Sequence, residues 1–154
     1  MQNLNILSDT GKSRINVELV DQVVYAGRPY LICQLLLTKT TWEVRESLSE
    51  IFNNEITSFQ TEIAELPIAK HELIRLYTYI AKYQDEGKLF NYEYTTPTGY
   101  LLQFTLLAKS KHLIVSKQKP LLEVNVSCPF HTTTFRMRVN PSSISYQPSE
   151  LPVE

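Results

Sequence analysis

The sequence is poor in glycine: Gly11, Gly27, Gly87 and Gly99 are the four it has in 154 residues. None has the spacing of a phosphate-cradling loop or a dinucleotide-binding turn. No Gly-x-Ser-x-Gly elbow is present to present a hydrolase nucleophile. Aspartate occurs at positions 9, 21 and 85 and nowhere else, so no EF-hand or paired-aspartate metal loop can be drawn. No run approaches the ~20 apolar residues that a membrane-spanning helix needs. The start, Met1 to Asp9, lacks the basic and then apolar pattern of a secretory signal. These absences predict a cytoplasmic protein without a membrane partner. The net charge of -1 lacks the basic excess of a general nucleic-acid binder.

Cysteine is scarce as well. Cys33 and Cys128 are the pair, and each lies in an apolar, strand-like stretch where a free thiol packs as a small hydrophobe. A reducing compartment disfavours a 33–128 bridge. A Cys–His nucleophile pair is formally open, but the apolar setting of Cys33 raises its thiol pKa. Cys128 and His131 have the spacing of half a zinc site, and only Cys33, His71 and His112 remain to complete four ligands. No metal and no cofactor is expected.

What is present is a globular chain of one domain's length, 43% apolar and 20% charged. Period-2 alternation dominates. Ile15, Val17 and Leu19 alternate with Asn16, Glu18 and Val20, and Gly27 marks a turn. Tyr30 to Thr38 is apolar enough for a strand buried on both faces. Trp42 and Val44 alternate with Glu43 and Arg45, Ser47 to Asn54 is ambiguous, and Phe59, Thr61 and Ile63 share a side. Residues 88–108 read as a hairpin about the turn Thr96-Pro-Thr-Gly99. Leu113 and Val115 mark a short strand. Two further strands carry Leu122, Val124, Val126 and Cys128, then Phe135, Met137 and Val139, with His131 in the loop before the last.

One segment changes period. Ala69, Leu73, Leu76, Tyr77, Ile80 and Tyr83 follow helical spacing. Helix 68–86 should start near Pro67 and stop at Gly87, with Lys70, His71, Arg75, Thr78 and Lys82 in water. The expected class is α+β: a largely antiparallel sheet of about eight strands with one amphipathic helix. Residues 1–140 form a single domain, and 141–154 form a loosely packed or disordered proline-containing tail.

Charge is unevenly placed. Residues 43–65 carry six glutamates against Arg45, a net of -5, and residues 109–138 carry a net of +5. Tyrosine is abundant, with nine residues, and tyrosine is favoured where a ring must have one apolar and one wet end. The expected site is therefore a partner-binding face of Glu43, Glu46, Glu50 and Glu55, which steers a basic protein, with Phe52 and Tyr79 as anchors.

The order of elements resembles the small bacterial immunity proteins of the WapI-like type. It runs from Trp42-Glu-Val44 and Phe59 through the helix of Glu72-Leu73, Leu76 and Ile80 to the aromatic hairpin and two more strands. That family neutralises a cognate secreted toxin by binding it. The resemblance spans residues 14–139 and rests on layout; it transfers no site residue. It implies a non-enzymatic protein-binding domain that blocks a toxin. The alternatives are an enzyme or ligand-binding protein with a pocket between sheet and helix, and a nucleic-acid-associated protein that uses the basic 109–138 region.

Overall fold

The computed structural model describes residues 2–40, 58–107 and 120–147. The expected strands at Trp42–Val44 and Leu113–Val115 and the segment Ser47–Asn54 lie outside the described residues. Among the described residues nine strands and one α-helix follow one another: β1 (Gln2–Leu7), β2 (Ser13–Tyr25), β3 (Arg28–Thr40), β4 (Ser58–Ala69), α1 (Lys70–Glu86), β5 (Asn91–Thr95), β6 (Leu101–Leu107), β7 (Leu121–Cys128), β8 (His131–Arg138) and β9 (Ile144–Tyr146). The strands form two sheets, ordered β4-β3-β2-β1-β9 and β5-β6-β7-β8, and every ladder is antiparallel. The expected single sheet of about eight strands is thus two. Alternation in the sequence reports which face of a strand is buried, and not which strand it pairs with. The helix separates β4 from β5, and β5 starts a new ladder.

Both sheets and the helix turn their apolar faces to one core. Leu4, Ile6, Ile15, Val17, Leu31, Cys33, Leu35 and Leu37 come from the first sheet. Leu102, Phe104, Leu106, Leu122, Val124 and Val126 come from the second, and Leu73, Leu76, Tyr77, Ile80 and Tyr83 from the helix. The helical stripe and the hairpin of 88–108 stand as read from the sequence. Gly87 ends the helix in the left-handed conformation with φ 69°, which costs glycine nothing, and its N–H bonds the Tyr83 carbonyl at 2.8 Å.

Three expectations are corrected. Pro67 does not open the helix: it is buried in β4 opposite Ile32, and the helix starts at Lys70 after Ala69. A proline is tolerated there because, among the described residues, β4 is an edge strand with a side that has no ladder to serve. The Tyr30–Thr38 strand is buried on one face and half-exposed at Ile32, Gln34 and Leu36 on the other. The segment from Pro141 is not a loose tail through its described part. Pro141–Ser143 makes a 3-10 turn, and β9 pairs with β1 through Leu4–Tyr146, Asn5–Ser145 and Ile6–Ile144. Gln84 on the helix donates its side-chain amide to the Pro141 and Ile144 carbonyls at 3.0 and 2.9 Å.

Two irregularities shape the first sheet. Leu19 pairs with Cys33 but Asp21 pairs with Ile32, which leaves Val20 as an extra residue in β2. Cys33 pairs with Leu66 but Leu35 pairs with Ile63, so Ala64 and Glu65 together oppose Gln34. Glu65 takes a positive φ of 58°. A bulge bends its strand and raises the local twist. Here two bulges flank β3 at nearly the same level and form a line across the sheet. Beyond that line Asp21, Val23 and Tyr25 lie on the face away from the core. The β2–β3 hairpin closes on Ala26 and Gly27, both with positive φ (51° and 76°), as a tight turn that matches the strand twist requires.

Candidate functional site

The space between the sheets and the helix is filled. A void of about 10 Å³ remains there, lined by Val17, Cys33, Leu66, Leu73, Tyr92 and Phe104 among others. That is room for about one water, against the several hundred cubic ångströms of a ligand pocket. Cys33 lies in this wall, and burial pushes its thiol up to about 12, which leaves it protonated and unreactive. Cys128 is half-buried, free, and the cross-strand neighbour of His131, which is the first residue of β8 and not a loop residue. Among the described residues no group of three or more His, Cys, Asp or Glu side chains could hold a metal.

A polar cluster fixes the helix against the second sheet. Arg75 donates from Nε and Nη2 to Glu72 at 2.9 and 2.7 Å, and from Nη2 to the Glu93 carbonyl at 2.7 Å. Its guanidinium lies 4.5 Å from the Tyr92 ring centre. The Tyr92 hydroxyl donates to Glu72, and burial raises its pKa. Every polar partner here is another part of the fold, so the cluster is structural. Arg75 is accordingly pinned rather than simply in water.

The open surface lies at the other end of the first sheet. Past the bulge at Val20, the β2–β3 hairpin runs beyond the core and leaves Val20, Val24 and Tyr25 63%, 72% and 66% exposed. Exposed large apolar residues gathered in one place mark interaction sites more often than singly scattered ones do. One face of this hairpin forms the floor of a groove of about 580 Å³, lined by Asp21, Val23, Tyr25, Tyr30, Ile32, Glu65, Pro67, Pro97 and Thr98. The register explains the lining. Asp21 pairs with Ile32 and Val23 with Tyr30, and Ile32 pairs with Pro67, so these side chains share a face. Pro97 and Thr98 come from the β5–β6 turn. Tyr25 and Tyr30 meet edge to face at 6.4 Å.

Of the expected site residues, Glu43, Glu46, Glu50, Phe52 and Glu55 lie outside the described residues. Tyr79 is half-buried and engaged: it stacks on Phe90 at 5.9 Å and meets Tyr92 edge-on at 6.3 Å. Around it Lys82, Lys88 and Leu89 rim a hollow of about 210 Å³. Of the acidic segment, Glu62 bonds the Gln34 side chain, and Glu65 reaches the groove. In the basic segment, Arg136 binds Glu123 at 2.7 Å and holds that carboxyl below its usual range. The groove residues were not singled out from sequence. The signal available was Val23-Val24-Tyr25 beside Ala-Gly, apolar on both parities, which a half-buried strand would not show.

No helix among the described residues is long and apolar enough to cross a membrane. Comparison with protein-family models, with curated proteins and with solved structures finds no match to this chain.

Proposed function

We propose that this protein is a non-enzymatic protein-binding domain that engages its partner through the distal half of the β2–β3 hairpin. The observation that carries the reading is the exposure of Val23 and Tyr25 in a largely apolar groove, with Val24 exposed on the opposite face of the same strand. Apolar and aromatic anchors near a concave surface supply most of the affinity of an interface. The filled interior supports a binding role over a substrate pocket. The finer identity we propose is a cytoplasmic immunity protein of the WapI-like type, which neutralises a toxin by occlusion. The layout of its elements supports that reading.

The test has two arms. A partner found by affinity capture and then purified should bind the wild type in a defined stoichiometry. It should lose at least tenfold in affinity to a folded variant with Val24→Asp and Tyr25→Ser, since truncated anchors cost upwards of ~1 kcal/mol each. Equal affinity for the variant would overturn the hairpin as the binding surface. For the immunity role, the product of a neighbouring gene should be toxic alone and harmless when this chain is co-expressed.

A further inference from the structure

We propose that the groove beneath the β2–β3 hairpin receives the cationic side chain, arginine by preference, of an extended segment of the partner protein. The proposal rests on the protein-binding reading and names the chemistry of the partner. Four features converge. The floor is apolar, with Val23 and Ile32 available to the stem of a long side chain. Tyr25 and Tyr30 line the same space, and a guanidinium gains by lying on an aromatic face. Two carboxylates, Asp21 and Glu65, line it too, and neither belongs to the ion pairs Glu72–Arg75 and Glu123–Arg136. Arginine alone among side chains combines an apolar stem, a plane that stacks and a fork that matches a carboxylate.

The fold holds these carboxylates in place. The Gln22 N–H donates to Asp21 Oδ1 at 2.7 Å, which orients the carboxylate and leaves Oδ2 for a ligand. Glu65 is set by the β4 bulge, with its φ of 58°. A non-glycine residue is costly in that conformation, and such strain gathers where a side chain must be aimed. Glu65 also belongs, in sequence, to the glutamate-rich segment 43–65, whose net charge is -5. A cationic partner suits both.

The test is an amide NMR titration of the full chain with three capped pentapeptides. The first is Val-Arg-Val-Arg-Val, the second has citrulline for arginine, and the third has glutamate. The arginine peptide should shift the amides of Asp21, Tyr25, Tyr30, Ile32 and Glu65 and leave Phe104 and Val124 still. Citrulline keeps the shape and removes the charge, so binding should weaken about tenfold, as the loss of two exposed ion pairs implies. The double variant Asp21→Asn with Glu65→Gln should weaken the arginine peptide by the same factor, its unchanged core amides showing that it is folded. Asparagine can still accept from the Gln22 amide. Equal binding of the citrulline peptide, preference for the glutamate peptide, or absence of shifts at the groove would each overturn the proposal. The first two would leave the groove a binding surface and so spare the broader reading, which fails instead when the captured partner ignores Val24→Asp with Tyr25→Ser.

Discussion

Cys33 and the tyrosines that surround the core show how much one buried group says about the state of the chain. The Cys33 thiol is raised from 9.0 to about 12 by burial. Burial also raises Tyr77 and Tyr92 above their ordinary 10.0. From pH 9.0 upward an unfolded chain therefore releases protons that the folded chain keeps. Unfolding then becomes more favourable as pH rises. The stability these groups contribute is intact below pH 9.0 and is lost towards 12. The urea midpoint should hold steady from pH 7 to 8.5 and fall between 9 and 11; a midpoint that stays level through pH 11 would contradict the burial of these groups. In the same samples at pH 8, iodoacetamide should label half-buried Cys128 in the folded protein and Cys33 only after unfolding.

Among the elements, the helix was the most legible in sequence, because Leu73, Leu76 and Ile80 repeat at a spacing no strand has. Its start was misread because Pro67 looks the same at a helix N-terminus and on an edge strand. The β5–β6 hairpin was legible from alternation and its turn. The bulges at Val20 and Glu65 were not, since an inserted residue leaves no compositional trace. The groove was not legible either. Its lining comes from three strands and a turn, and only long-range pairing brings Asp21, Pro67 and Thr98 together. The helix also offers a sharp internal comparison. Leu76 is 3% exposed and Ile74, two residues away, is 44% exposed. Leu76→Ala should cost about 2–5 kcal/mol, whereas Ile74→Ala should stay within about 0.5 kcal/mol. Chemical denaturation of the two variants checks both, and similar losses would mean that the apolar stripe is not what holds the helix.

For the whole molecule, the decisive connection is the return of the chain from the second sheet to the first. After β8, Val139 is buried and Ile144 enters the core beside β1. Residues far apart in sequence thereby close the five-stranded sheet, a feature that weak periodicity and three prolines in 141–154 concealed. A chain ending at Asn140 would lose the Ile144 side chain and the β1–β9 ladder, and would uncover the β1 edge. It should be less stable by about 2–3 kcal/mol on the burial of one isoleucine alone. Thermal unfolding of the truncated chain measures this. A transition unchanged from the full chain would show β9 to be dispensable.

The line of bulges across the first sheet divides labour within a single hairpin. On one side Ile15, Val17, Leu35 and Leu37 are committed to the core, so a truncation or a polar change there costs stability. On the other side Val20, Val24 and Tyr25 are largely exposed, so the fold constrains their identity far less. Under the proposed binding role, mutation at the tip can alter recognition at little cost in stability. A lineage carrying this fold could change partners by drifting at the tip while its core stays still. Exchanging residues 20–29 between two such proteins should carry specificity across with the folded state intact.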